Sequence, residues 1–219
     1  AGKYDGDAAE VARRIVDFVQ AGLGRMPGSL GVTAVGTSAI FGAISGASAA
    51  TVATVGKVML PALRREKYPE EFIGGLITAV GAIDIIIPPS IPMIVYGMAA
   101  EESVPRLYAA GFLPGLLIAM MLAVYVVWVS KRRGFGVGEP FRLGVFLRAA
   151  GRGVWALGAP FIILGGIYGG VFSPTEAAAV ACVYGGLVAR FVYREISWRE
   201  MLDAARTTIR FTGQVLIIA

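Results

Sequence analysis

The sequence predicts an all-α, polytopic membrane protein with a re-entrant helical hairpin and a broken transmembrane helix. Three observations predict it. First, 56% of the 219 residues fall in the AVILMFWYC set, another 30 are Gly, and only 16% are charged, where a soluble domain carries about 25%. Mean hydropathy is +0.70, and a 22.9 kDa globule leaves too much of its chain exposed to hide that apolar surface from water. Second, the charges lie between long uncharged runs. Third, two of those runs do not read as plain crossings. One has basic residues on both flanks, and the other contains three prolines.

Composition also excludes whole classes of function. There is no histidine, so the usual general base, the commonest metal ligand and any Ser-His or Cys-His dyad are absent. The single Cys182 sits in an apolar run and says nothing of redox compartment. Net charge is +5, but the basic residues separate apolar runs, as topology signals do, and form no nucleic-acid surface. Residue 1 is Ala, the start Ala1-Gly2-Lys3-Tyr4-Asp5 is polar, and the last apolar run ends at Ala219, short of the ~20 residues that span a bilayer. The expectation is an internal piece of a longer protein.

Residues 8–25 place Val11, Ile15, Phe18 and Val19 on one helical face, with Arg13, Arg14 and Asp17 away from it. This predicts an amphipathic surface helix over 1–25. Residues 107–130 carry no charge over 24 positions, about 36 Å as a helix, enough to cross with some tilt. Further crossings are expected at about 153–172 and 177–193. The latter is entered through Ser173-Pro174-Thr175-Glu176, a helix-start pattern in which Glu176 is the N-terminal acid. Another begins at about 207. The 131–152 loop holds Lys131, Arg132, Arg133, Arg142, Arg148 and Arg152 against Glu139 alone, which places it in the cytoplasm. Segments 101–106 and 173–176 then face outward, and Arg190, Arg194 and Arg199 return to the cytoplasm. Trp128, Trp155 and Trp198 fall near the interfaces.

The uncharged run 26–56 breaks this alternation. Arg13, Arg14 and Arg25 precede it, and Lys57, Arg64, Arg65 and Lys67 follow. Both flanks read as cytoplasmic, which suits a re-entrant hairpin over about 28–63 with its tip at Ser45-Gly46-Ala47-Ser48. Gly and small polar residues suit such a tip, because backbone at membrane depth must be satisfied by protein or water. The alternative is a helix packing through Gly42-x-x-x-Gly46. Segment 72–100 contains Pro88, Pro89 and Pro92. Each lacks an N–H, which frees the carbonyls of Asp84, Ile85 and Pro88 near Ser90. Free carbonyls in the bilayer call for positive character, and a Na⁺ ion is a hard cation that prefers oxygen. The alternative is a proline kink healed by hydroxyls and water. Asp84 is the only acid deep in an apolar run, where a carboxylate costs about 2.5–3.5 kcal/mol. It ligates a cation, carries a proton, pairs with a Lys or Arg, or holds the broken helix as a neutral hydrogen-bonded acid.

These residues carry a resemblance. The strings Ala43-Ile44-Ser45-Gly46-Ala47-Ser48-Ala49-Ala50-Thr51, Leu60-Pro61, Ile86-Ile87-Pro88-Pro89-Ser90-Ile91-Pro92, Gly111-Phe112-Leu113-Pro114-Gly115 and 163–179 (ILGGIYGGVFSPTEAAA) resemble the large membrane subunit of tripartite ATP-independent periplasmic (TRAP) transporters. The resemblance runs over nearly the whole chain from about residue 10. It implies part of an elevator-type, inverted-repeat secondary transporter of the bacterial or archaeal inner membrane. Such a transporter imports an organic acid on a Na⁺ gradient, with a small membrane subunit and a periplasmic substrate-binding protein and no cofactor beyond Na⁺ as coupling ion. On this resemblance 26–100 is the transport core. Ser45, Gly46, Ser48, Gly81, Asp84, Ile85, Pro88 and Ser90 are the expected ion-site residues, and Ser48, Thr51, Pro89 and Ser90 the expected substrate-site residues. Asp84 departs from the glycine the resemblance leads one to expect. The opposite wall of the site is expected beyond Ala219, so these residues alone are not expected to transport.

Three rival readings stand beside this one. An intramembrane protease lacks the His for a Ser-His dyad and the second intramembrane Asp for an aspartyl dyad. A scaffold or channel subunit would tolerate changes over 88–92. A proton-coupled transporter would work through Asp84.

Overall fold

The computed structural model of the chain describes residues 5–136, 143–194 and 196–218. Among those residues every regular element is a helix: α1 (Asp5–Leu23), α2 (Ser29–Ser45), α3 (Ser48–Arg65), α4 (Glu70–Ile86), α5 (Ile91–Ala99), α6 (Val104–Arg133), α7 (Leu143–Tyr168), α8 (Pro174–Leu187) and α9 (Trp198–Ile218). A π turn over Val188–Val192 continues α8. By length and composition α6 and the 174–192 helix can each cross a membrane. So can two bent pairs: α4 with α5, at 41°, and the two parts of α7 on either side of residue 152, at 59°. The fold is that of an all-α polytopic membrane protein.

The helix α2 lies at the centre. It is apolar all round, the signature of a helix with no solvent face, and it packs against α1, α3, α4 and α6. Leu30, Val32, Ala34, Val35, Phe41 and Ala43 of α2 are buried in one core with Val55, Met59 and Leu63 of α3, Ile73, Leu76 and Val80 of α4, and Val126 of α6. Two glycines bring the neighbours close. A Cβ on Gly31 would stand 2.6 Å from Val126 Cγ1, and one on Gly36 would stand 2.9 Å from Val19 Cγ1 of α1. Ser29, Thr33, Thr37 and Ser38 are also buried on α2. The Thr33 hydroxyl donates to the Ser29 carbonyl at 2.7 Å, the local bond that lets a threonine sit inside a helix.

Three elements differ from the expectation. The apolar face of α1 is covered by protein: Ala12, Ile15 and Val16 are buried, the helix packs on α2, α3 and α7, and Phe18 meets Phe146 at 5.4 Å. An amphipathic pattern specifies one apolar face but not whether lipid or protein covers it. Residues 143–151, expected within a loop because of their arginines, form the first part of α7. They are drawn into a helix by contact with α1. The last helix begins at Trp198 rather than about 207. Ser197 and Glu200 form a capping box there: the Glu200 carboxylate accepts from the Ser197 N–H at 2.9 Å, and the Glu200 N–H donates to the Ser197 hydroxyl at 3.3 Å. This satisfies two otherwise orphaned donors. Ser173 and Glu176 form the same box at the start of α8.

The entry to α2 depends on Gly28. Its φ is +74°, its N–H donates to the Gly136 carbonyl at 2.6 Å, and a Cβ there would stand 2.6 Å from Ser130 Oγ at the end of α6. Gly28→Ala should therefore destabilise the protein by at least the ~1–2 kcal/mol of a left-handed non-glycine residue. The check is a fall in the melting temperature of the purified full-length protein. Gly74→Ala, where a Cβ meets nothing within 4 Å, should leave that temperature unchanged.

Candidate functional site

The break between α4 and α5 follows from its prolines. The last α4 bond runs from the Ile87 N–H to the Ile83 carbonyl at 2.9 Å. Pro88 and Pro89, joined by a cis peptide bond, then supply no N–H and the chain leaves the helix. Pro92 falls in the first turn of α5, where a missing N–H costs nothing. The carbonyl of Ile85, deprived of a donor by Pro89, accepts from the Ser90 hydroxyl at 2.6 Å. Ser90, at the N-cap of α5, therefore does not cap it. Pro88, four residues after Asp84, likewise offers the Asp84 carbonyl no N–H.

The tip of the α2–α3 hairpin docks on this break. Gly46 ends α2 with φ +61° and its N–H on the Gly42 carbonyl, the left-handed cap that glycine favours. Its own carbonyl accepts from the Ile91 N–H across the break at 3.3 Å. A Cβ on Gly46 would stand 2.8 Å from the Pro89 carbonyl oxygen, so only glycine permits the approach. Further along, the Ser48 hydroxyl donates to the Gly81 carbonyl at 2.9 Å, and a Cβ on Gly81 would lie 2.6 Å from Val52 Cγ2. Hairpin and small-residue packing are both present, because Gly42 and Gly46 are the points at which α2 meets α4 and the break.

Four helix ends meet here. The C-termini of α2 and α4 bring partial negative charge, and the N-termini of α3 and α5 bring partial positive charge. The α3 N-cap is Ala47, which has no side chain to cap with. Neither N-terminus has a side-chain cap; at α5 the Ile91 N–H already donates to the Gly46 carbonyl and Pro92 has none, so the α3 N-terminus is the end better suited to an anion.

Asp84 lies under this junction and is fully buried. It is clamped between both arms of the hairpin and α4: a methyl on Gly42 would overlap its carboxyl, and Thr51 of α3 faces it. Neither carboxyl oxygen has a hydrogen-bond partner among the described residues, nor has the Thr51 hydroxyl. Orphaned oxygens at such depth cost several kcal/mol and call for a proton or a cation. No group of three His, Cys, Asp or Glu side chains able to hold a metal occurs among the described residues, so a cation here would rely on carbonyls, hydroxyls and this one carboxyl.

The structure gathers the expected residues at one place. Ser45, Gly46, Ser48 and Thr51 lie at the tip, with Gly81, Asp84, Ile85, Pro88, Pro89 and Ser90 at the break. Thr51 is fully buried beside Asp84. Tyr108 was not legible in the sequence. It is fully buried on α6, and its hydroxyl sits beside the Ser90 N–H without a hydrogen bond to any described residue. Thr37 and Ser38 of α2 likewise bury unpartnered hydroxyls. Spacing gives no cue for either, since a lone hydroxyl inside an apolar run reads as packing.

Two helices meeting at a tip against a helix broken by prolines is a kind of arrangement found in the membrane domains of secondary transporters. Comparison with known proteins specifies the family. The sequence pattern of the Tripartite ATP-independent periplasmic transporter, DctM component, matches residues 7–219, and the chain belongs to that family. It is 42% identical over 203 residues to the C4-dicarboxylate TRAP transporter large permease protein DctM of Pseudomonas aeruginosa, covering 91% of this chain and 48% of that protein. It is 39% identical over 212 residues to the isethionate TRAP transporter permease protein DctMQ of Oleidesulfovibrio alaskensis, covering 96% of this chain and 33% of that protein. It is 33% identical over 208 residues to the sialic acid TRAP transporter permease protein SiaT of Haemophilus influenzae, covering 95% of this chain and 34% of that protein. The chain thus spans a third to a half of the length of these relatives.

The notch at Gly42 yields a prediction. Gly42→Ala should cost about 1–3 kcal/mol, the usual cost of overfilling a packed site, because the added carbon also stands 3.1 Å from the Asp84 Cα. Combining it with Asp84→Gly should recover part of the loss, since contacting residues couple. Thermal unfolding of the two single variants and the double variant checks this.

Proposed function

We propose that the full-length protein imports an organic acid across the inner membrane on a Na⁺ gradient, and that the hairpin tip and the helix break form its ion site and one wall of its substrate site. The observation that carries this reading is the meeting of four helix ends at Gly46 and residues 87–90. Two carbonyl-rich C-termini suit a cation, and the positive dipole ends of α3 and α5, α3 with no side-chain cap, suit the acid group of a substrate. Family membership supports transport and argues against catalysis. The names of the three relatives carry C4-dicarboxylate, isethionate and sialic acid, two carboxylates and a sulfonate, so an organic acid is the substrate class, with a C4-dicarboxylate, sialic acid or similar carboxylate as the first candidates. The small membrane subunit and the periplasmic binding protein are partners on the same ground. In this reading α2–α3 enters and leaves from the cytoplasmic side, consistent with Arg64 and Arg65 at its far end.

Ser45, Ser48 and Asp84 supply side-chain oxygens. Gly46, Gly81, Ile85 and Pro88 supply backbone carbonyls. Thr51, Pro89 and Ser90 stand on the substrate side.

The test is the thermal stability of the full-length protein in Na⁺ against K⁺ and choline at equal ionic strength. Na⁺ at about a hundred times its dissociation constant should stabilise by ~2.7 kcal/mol. Ser45→Ala and Asp84→Asn should each reduce that gain. Equal stability in all three salts, or uptake driven by a pH gradient without Na⁺, contradicts the reading.

A further inference from the structure

A groove remote from the hairpin tip opens between the α8–π helix and α9. Its volume is about 330 Å³, and Val183, Leu187, Phe191, Trp198 and Met201 line it together with Arg190. Arg190 is the one charged group of that lining among the described residues. The positions contributed by the first helix, 182–183, 186–187 and 190–191, recur every four residues and so form a stripe along one face. Gly186 keeps the middle of the stripe open, and a Cβ there would already lie 3.4 Å from Met201 Sδ. The π turn at Val188–Val192 closes on a bond from the Tyr193 N–H to the Val188 carbonyl at 2.9 Å. It interrupts the α register where Arg190 and Phe191 project, and such π turns are frequent at functional positions.

The guanidinium is the unusual feature. Arg190 lies 5.8 Å from both the Phe191 and the Trp198 rings, which themselves meet edge-on at 6.2 Å. Its Nε is buried and has no hydrogen-bond partner among the described residues. The acids described on α9 are engaged elsewhere. Glu200 holds the Ser197 cap, and Asp203 faces Arg206 at 3.6 Å. The rings stabilise the positive charge but satisfy none of the guanidinium's directional donors.

We infer that this groove binds an anionic phospholipid, with the phosphate on Arg190 and an acyl chain lying along the apolar stripe toward Val183. Depth supports the assignment. Arg190 stands in the last turn of a span whose basic end faces the cytoplasm by the positive-inside rule, the level at which a phosphate sits. From residue 190 back to 182 the helix rises about 12 Å, so the groove runs into one leaflet and stops short of the midplane of a ~30 Å core. Free phosphate would leave the apolar stripe unfilled, and an apolar partner helix would leave the guanidinium unpaired. A phospholipid answers both, and this inference is independent of the Na⁺ reading.

The experiment measures, by native mass spectrometry of the full-length protein, how strongly the most tightly held lipid is phosphatidylglycerol rather than phosphatidylcholine when both are offered in equal amount. Phosphatidylglycerol should be preferred roughly five-fold, the factor that the ~1 kcal/mol of one basic side chain at an anionic surface is worth. Arg190→Gln should abolish that preference, Arg190→Lys should retain most of it, and Arg194→Gln, which removes the same charge outside the groove lining, should leave it intact. Equal binding of the two lipids overturns the inference. So does a preference that persists in Arg190→Gln, or one lost equally in Arg194→Gln.

Discussion

The close approach of Gly46 to residues 87–90 is the contact on which the rest of the arrangement depends. A backbone carbonyl at a left-handed glycine reaches the Ile91 N–H across a gap in another helix, and no residue with a Cβ fits there. Because the tip is anchored at this point, the arms of the hairpin run back along α4. Gly42 then falls on Asp84, and Ser48 falls on Gly81. Each contact is a small residue or a short hydroxyl against backbone or carboxyl, so the surfaces meet at main-chain distance. Packing of this kind is what holds helices together in a membrane, where apolar burial between helices contributes little.

The electrostatic consequence follows from that geometry. Two helices end and two begin within one junction, each end equivalent to roughly half a unit charge. In water these dipole ends would be screened, whereas inside a packed apolar domain their effect is much stronger. The junction accommodates both signs of charge, and its unused polar atoms match that. Among the described residues the Asp84 oxygens lack donors, and the N-terminus of α3 has no side-chain cap. Tyr108 and Thr51 add hydroxyls that can serve either sign. Under the proposed function such a junction takes a cation and an anion together, which is the physical requirement for coupling one to the other.

Much of this was legible in the sequence, for reasons that can be named. Prolines at 88, 89 and 92 leave a helix no route but a break. Basic residues on both flanks of an uncharged run admit a hairpin, and Gly46 between two serines marks where it turns. The Ser173–Glu176 cap was readable because side chain and spacing state the bond directly. The same pattern at Ser197 and Glu200 passed unread beside its arginines, so the start of α9 was expected too late. What covers the apolar face of α1 was not readable, because periodicity specifies a face and not its partner. Nor was the helix over 143–151, which is held by Phe146 against Phe18, a contact between residues far apart in the chain. Tyr108 and Thr37 escaped notice because their significance is a missing hydrogen bond, and only the fold reveals that. The groove beside Arg190 likewise exists only once α9 lies against α8.

The most direct test of the central claim is a distance. Cysteines placed at Ala47 and Ile91 of the full-length protein in its native membrane, with Cys182 replaced, should be joined in high yield by a short bismaleimide. A control pair at Ala47 and Trp128, the latter near the far end of α6, should not be joined. Efficient and selective coupling of 47 to 91 is the result this account predicts. Failure of that pair to couple in a protein that folds, or coupling no better than the control, would contradict it.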